Sequence, residues 1–460
     1  VLRNQTRRHF LSLLPSPLLA APPPRPNIVL ILFDDLGWRD FATTGHPTHQ
    51  TPNIDALARE GVRFTQAYAA CPVCSPSRAA LLTGRYPTRS GVTDWIPGRP
   101  QWPSARLLTP RTATSLPLSE ITLAEALSPL GYRTASIGKW HLGGSPGFLP
   151  GDQGFPLNIG GDHRGANKFF GPFAMPGLEG RNSSHYLTTE LGQAAVSFAT
   201  RSPEPFFLYA PNYAVHLPLE APGITGPKGA YAEMLRIADS QIGLLREALK
   251  RSGQYDNTAW IITSDNGGLR YEGKSPDPVT DNAPLRAGKG HLYEGGIRVP
   301  LIIKAPGWTQ PAQLRSQRVS GIDVFPTLLD YLGLPPSNTL DGLSLKPLLT
   351  APPRQFPQRP LFWHYPHYSN QGGVPAGAII ENNWKLIEFY EDSRLELFDL
   401  SSDPSEQHNV ATRHPRRAQS LLAKLKQWRQ STGAIMPKLN PDFQPTTAPQ
   451  GLTGAEPPTP

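Results

Sequence analysis

Asn27-Ile28-Val29-Leu30-Ile31-Leu32-Phe33-Asp34-Asp35 is an uninterrupted apolar run that stops on two carboxylates. A run with no polar alternation is the mark of a strand buried on both faces, as in a parallel sheet. Similar short runs recur at Tyr132–Ile137, Phe206–Ala210, Trp260–Thr263 and Pro300–Ile303. Helical periodicity lies between them, at Asn53–Glu60, Ile121–Leu127, Tyr231–Lys250 and Ile322–Leu332. Strands alternating with helices predict an α/β layer structure on a mostly parallel sheet. In such sheets ligands bind beyond the carboxyl ends of the strands. Asp34-Asp35 and Asp265-Asn266 both fall at such ends. Carboxylates and an amide converging there make a hard-oxygen set suited to Ca²⁺ or Mg²⁺.

The texture changes near Pro335. Leu361–Tyr365, Ala378–Ile380, Trp384–Phe389 and Leu395–Leu400 read as short strands separated by turns. A closing helix, Arg416–Trp428, carries Leu421, Leu422, Leu425 and Trp428 on one stripe. The domains expected are therefore 26–334 for an α/β unit and 335–435 for a smaller antiparallel-sheet subdomain. Residues 436–460, rich in Pro, Thr and Gly, read as a disordered tail. At the other end, Thr6-Arg7-Arg8-His9-Phe10-Leu11 precedes an apolar run to Ala21, the pattern of a twin-arginine export signal over residues 1–21. That signal predicts a periplasmic or extracellular protein of a bacterium.

The chain has 460 residues, with 42 Gly and 53 Pro, and reads as a loop-rich enzyme of more than ordinary domain size. Its net charge of +8 suits an anionic substrate. No Lys/Arg-rich run is interleaved with aromatics, which argues against nucleic acid. No stretch is long and apolar enough for a membrane-spanning helix, so an integral membrane protein is not expected. With 2 cysteines the fold cannot lean on disulfides.

Those two cysteines stand together in Cys71-Pro72-Val73-Cys74, followed by Ser75-Pro76-Ser77-Arg78-Ala79-Ala80-Leu81-Leu82-Thr83-Gly84-Arg85. A CxxC is compatible with a redox pair, half of a metal site, or inert packing. Pro76 pushes Ser75 toward extended geometry, which predicts Cys74 in a turn, Ser77 as N-cap, and Gly84 as the helix end. A side chain at a helix N-terminus meets free N–H donors, which suits an anion or an attacking oxygen.

The Cys-x-Pro-Ser-Arg…Thr-Gly-Arg segment resembles the signature of the type I sulfatases, of the alkaline phosphatase-like superfamily. The resemblance implies that a maturation enzyme oxidises Cys74 to formylglycine, whose hydrate attacks sulfur. It implies one divalent ion, usually calcium, held by Asp34, Asp35, Asp265, Asn266 and the modified Cys74. Arg78 would hold the hydrate. Gly138-Lys139-Trp140-His141-Leu142-Gly143 matches a further motif and places Lys139 and His141 at the aldehyde and the sulfate. His216 in Val215-His216-Leu217-Pro218 and Lys289 in Gly288-Lys289-Gly290 match the remaining sulfate binders. The chemistry needs these types: cations aimed at the sulfuryl oxygens, a base such as Asp265, an acid such as His216 or Lys289, and His141 to take the last proton. Glu294 has the look of a catalytic acid, but beside Gly295-Gly296 it reads as a brace for a turn.

The substrate implied is a sulfated carbohydrate or a small aryl sulfate. Trp363-His364-Tyr365-Pro366-His367-Tyr368-Ser369-Asn370-Gln371 offers aromatic faces, imidazoles and amides for a sugar, so His364 and His367 are candidates, with Asp162 and His163 from a Gly-rich stretch. Glu381 stands where relatives carry a basic residue, which bears on substrate fit. Rival readings are a formylglycine-dependent phosphonate or phosphodiester hydrolase, a silent glycan-binding protein, and an α/β domain with a structural calcium.

Overall fold

A computed structural model describes residues 25–443, except 103, 203–204, 271–278, 281 and 336. The export signal over 1–21 lies outside the described residues.

The larger sheet contains β1 (Asn27–Phe33), β2 (Val62–Tyr68), β4 (Arg133–Ile137), β5 (Leu157–Ile159), β6 (Phe206–Pro211), β7 (Thr258–Ser264), β8 (Arg298–Lys304), β9 (Gln313–Arg315) and β10 (Val319–Ser320). Leu107–Leu108, β3, stands apart from it. The strand order is β10-β2-β8-β7-β1-β6-β4-β5, with β9 also on β2. From β7 to β5 neighbours run parallel, while β8 is antiparallel to both β7 and β2. The sheet is thus mixed and mostly parallel.

β1 is central, and every one of its residues is buried. Its side chains alternate between two cores, as strand geometry requires. Val29, Ile31 and Phe33 join the core under the helices Pro52–Glu60, Leu187–Thr200 and Pro227–Arg251. Ile28, Leu30 and Leu32 join the core under Cys74–Thr83, Leu123–Leu127 and Val324–Tyr331. That double coverage explains the absence of polar alternation in the sequence.

The second sheet is an antiparallel meander of β11 (Leu361–Tyr365), β12 (Ala376–Glu381), β13 (Trp384–Phe389) and β14 (Leu395–Asp399). On one face Ile379, Leu386 and Leu397 receive Leu421, Leu425 and Trp428 of the helix Pro415–Thr432. Its other face packs Trp363 and Ile387 on Tyr68, Val73 and Ile297 of the larger unit. Within the segment read as a tail, Lys438–Leu439, β15, pairs with β3; residues 444–460 are outside the description. Glu381 pairs with Lys424 of the closing helix, so its charge serves that contact.

Candidate active site

The ends of β1 and β7 lie side by side, because Phe33 pairs with Ser264. The chain beyond them is stitched together by Asp265 N–H donating to Phe33 O (3.1 Å) and Asp35 N–H donating to Asp265 Oδ1 (3.2 Å). Asp34, Asp35, Asp265 and Asn266 therefore meet at the carboxyl edge of the sheet, all buried. Asp35 has φ 61°, a left-handed conformation uncommon outside glycine.

Three cations close on the three carboxylates. Lys139 Nζ lies 2.7 Å from Asp34 Oδ2, and Lys289 Nζ 2.8 Å from Asp35 Oδ2. Arg78 donates from Nε to Asp265 Oδ2 (2.9 Å) and from Nη1 to the Lys139 carbonyl (2.8 Å). Burial opposes ionisation of Asp34, yet Lys139, His216, Arg78 and Lys289 together hold its carboxyl well below the ordinary range. Burial, then the charge of Asp34, pushes Asp265 up to about 7 against the pull of Arg78. Burial disfavours the Lys289 ammonium, but Asp35, Cys74 and Asp34 together more than offset this and raise its pKa.

Two oxygens of the set are unspent. Asn266 donates its amide to Asp35 Oδ1 (2.8 Å) and to Gly267 O (2.9 Å), which leaves its own Oδ1 without a partner among the described residues. Asp34 Oδ1 is likewise buried and accepts no hydrogen bond among the described residues, with Arg78 Nη2 facing it at the longer distance of 3.6 Å. Asp34, Asp35 and His216 each offer a ligand atom, all within 4.8 Å of one another. Buried acceptors with nothing to accept from are costly, and a hard cation satisfies them. Asp40, His46 and His49 are similarly close, but the two imidazoles stack nearly parallel at 3.3 Å, so one ion cannot lie in both ring planes.

Cys74 is the first residue of the helix Cys74–Thr83, one turn earlier than the sequence predicts. Pro76 is tolerated at the third position because first-turn N–H groups have no intrahelical acceptor. Ser77 caps nothing; its hydroxyl donates to Cys71 O and accepts from Cys71 N. Gly84 ends the helix with φ 69°, as expected. Burial pushes the thiols of both Cys74 and Cys71 up, with Lys139 and Lys289 opposing this at Cys74. Reactive redox cysteines show the opposite shift.

Gly138 places Lys139 and His141. Its φ is 131°, and a Cβ there would lie 1.9 Å from the Pro211 carbonyl. His141 also has positive φ, 62°. Its Nε2–H donates to Ile96 O at 2.8 Å, so Nδ1 is the basic nitrogen, buried and without a partner among the described residues. Burial, then Lys139 and Arg78, keeps this imidazole neutral by lowering its pKa well below the usual value. His216 is lowered by burial, then by Lys289; its Nδ1 meets Leu217 O at 2.9 Å and its Nε2 lies 3.5 Å from Asp35.

The sugar-binding candidates fare differently. The Asp162 carboxylate is taken by Arg164, while its carbonyl accepts from His141 N–H at 2.7 Å, so Asp162 shapes the loop. His163 is exposed above Gly144. His364 must be reassigned to the framework: it is buried, with Nδ1 on Tyr390 Oη (2.7 Å) and Nε2 on Ile435 O (3.1 Å). His367 is also buried, its Nε2 on Thr93 Oγ1 at 2.9 Å. Glu294 is the brace expected, fully buried against Lys385 and Tyr68. The Thr93–Arg99 loop, lying between His141 and residues 365–370, escaped the sequence reading; its one signal was Asp94-Trp95 followed four residues later by Arg99.

The family model for sulfatases matches residues 26–334, and that for the C-terminal region of N-sulphoglucosamine sulphohydrolase matches 287–431. Arylsulfatase A of Homo sapiens is 33% identical over 462 residues, covering 88% of this chain and 86% of that protein. N-acetylgalactosamine-6-sulfatase of Homo sapiens is 37% identical over 374 residues, covering 75% and 69%. Among solved structures, Ps i-CgsB in complex with k-i-k-neocarrahexaose superposes with a TM-score of 0.75 at 31% identity, covering 88% of this chain and 92% of that one. The matched span includes every strand of the larger sheet and all the residues of the buried centre, and on that footing the chain belongs to the sulfatase family of sulfuric ester hydrolases.

Proposed function

We propose that this protein removes sulfate from a sulfated carbohydrate, with Cys74 converted to formylglycine by a maturation enzyme and one divalent ion, calcium or magnesium, at Asp34, Asp35, Asp265 and Asn266. The observation that carries this reading is the pair of unspent buried oxygens, Asp34 Oδ1 and Asn266 Oδ1, inside a cage of cations. The ion would supply positive charge to the sulfuryl oxygens. Formylglycine would supply an oxygen nucleophile where a buried, protonated thiol is a poor one.

The chain's own groups have these roles in the proposal. Lys139 and Lys289 hold the sulfuryl oxygens, and Arg78 orients the modified residue 74 from the same helix. Lys289, held protonated, gives a proton to the departing alcohol oxygen and regains one from water; His216, with its lowered pKa, stays neutral beside it. Nδ1 of His141 is the acceptor for the final proton. A carbohydrate substrate is supported by relatives whose names specify an acetylgalactosamine sulfate and a carrageenan oligosaccharide. The Arg7-Arg8 segment and its apolar continuation support export.

The test is mass spectrometry of the peptide carrying Cys74, from protein co-produced with a maturation enzyme, with the aldehyde trapped by a hydrazide. Aldehyde formation together with chelator-sensitive hydrolysis of an aryl sulfate is the expected result. An unmodified thiol despite an active maturation enzyme would overturn it and leave a silent glycan-binding protein.

A further inference from the structure

The Thr93–Arg99 loop enters the chemistry above only through the Ile96 carbonyl that fixes the His141 tautomer, and it is tied to the catalytic wall at both sides. Ile96 N–H donates to Ser75 Oγ at 3.0 Å, and Ile96 O accepts from His141 at 2.8 Å. The Trp95 ring stands 6.3 Å from the His141 ring, and the Arg99 guanidinium 5.8 Å from the Trp95 centroid. Arg99 also lies within electrostatic reach of Cys74.

Arg99 is held unusually firmly for a side chain that still reaches solvent. Nη1 donates to the Asp94 carboxylate and to Tyr365 Oη (2.9 Å), and Nη2 donates to Asn370 Oδ1 (3.2 Å). Asp94 is 1% exposed and Arg99 12%. Of its five N–H groups, Nε–H and one on Nη2 have no partner among the described residues. A loop brace has no use for a part-exposed guanidinium of which two donors are left over beside Trp95. A fixed guanidinium with spare donors is instead the usual receptor for a carboxylate or sulfate oxygen pair. Because Asp94, Tyr365 and Asn370 have already fixed the side chain, little rotamer entropy remains to be lost on binding.

We propose that Arg99 reads a second oxyanion of the substrate, a sulfate or carboxylate on the sugar that bears the scissile sulfate or on its neighbour, with Trp95 offering its face to the ring. The inference rests on the sulfated-carbohydrate reading, and it concerns recognition alone.

Binding is measured calorimetrically on Cys74→Ser protein, which needs no maturation and does not turn over. The probes are a monosulfated hexosamine, its disulfated form, and a monosulfated disaccharide containing a uronate. One of the two doubly acidic probes should bind roughly tenfold to a hundredfold tighter than the monosulfated one. Which of them does so tells sulfate from carboxylate. Arg99→Gln combined with Asp94→Asn, which leaves no buried carboxylate unpaired, should abolish that ratio. Arg99→Lys, which keeps a cation beside Asp94, should lose most of it, and thermal melts verify that each variant folds. Equal affinity for all three probes, or a preference that survives in both variants, overturns the proposal. Aryl sulfate turnover by matured wild-type protein reports separately on the sulfatase reading, since no binding arm depends on it.

Discussion

Lys139 is almost wholly buried, with Asp34 at 2.7 Å and no solvent to share its charge. Removing it leaves Asp34 with Arg78 at 3.6 Å as its remaining close cation. A buried carboxylate stripped of its partner is destabilising, and under the proposed roles the sulfuryl oxygens would lose a donor at the same moment. Lys139→Ala should therefore lower kcat/KM on an aryl sulfate by at least ~100-fold and also depress the melting temperature. Steady-state kinetics with a calorimetric melt check both; retained activity would remove Lys139 from the sulfate site. At this scale the sequence was legible where residue type and strand end coincide, as at Asp34, Asp35, Asp265 and Asn266. It was illegible where partners decide. On paper His364 and Arg99 are both simply polar residues, and only Tyr390 and Ile435 bury one in the framework while Asp94, Tyr365 and Asn370 fix the other with part of its guanidinium exposed.

Among the elements, the turn opening at Gly138 joins the β4 end to Lys139 and His141. Its N–H donates to Ile159 O at 2.8 Å, and the next N–H donates to Pro211 O at 2.8 Å, so the turn is fastened to both neighbouring strands. Gly138→Ala combines a left-handed backbone with a carbonyl in the way of the new methyl, a strain of about 1–3 kcal/mol. The expected outcome is loss of most activity with a modest fall in melting temperature, since Lys139 and His141 move together. Equal activity at unchanged stability would count against that coupling. The elements that escaped the sequence reading share a cause. β2 carries Arg63, Thr65 and Gln66, which interrupt its apolar run, and is recruited by pairing with β8. The helix Leu187–Thr200 carries three threonines and a glycine, poor helix formers, and is retained because Leu187, Leu191 and Phe198 enter the core. β1, β11 and β13 emerged with their boundaries because burial on both faces, or regular alternation, leaves a pattern in the chain itself.

Across the whole molecule, the two sheets are joined by a buried charge cluster. Lys385 of β13 reaches Glu294 (3.0 Å) and Glu406 (2.8 Å), all three shielded from water. Burial, with the Glu294 charge adding to it and Lys385 opposing, pushes Glu406 up to about 7. The native state thus holds a proton that the unfolded chain, with a carboxyl near 4.5, releases earlier. Stability from this group is fully present below about 4.5 and is lost as pH rises through about 7. Glu294, shifted downward, acts below that window. Between pH 5 and 8, wild type should lose stability relative to Glu406→Gln, by up to roughly 3 kcal/mol. Urea melts of both proteins across that range provide the check, and parallel pH profiles would refute the assignment.

All ten residues of the helix that begins at Cys74 are buried in the finished fold. An enzyme that must grip this segment as an extended peptide finds nothing to grip once the chain has closed over it. Under the proposed conversion of Cys74, whether a given molecule becomes active would be settled while the chain is still open, in a race between oxidation and collapse. The specific activity of a preparation would record the outcome of that race, a history that no later incubation with the modifying enzyme can rewrite.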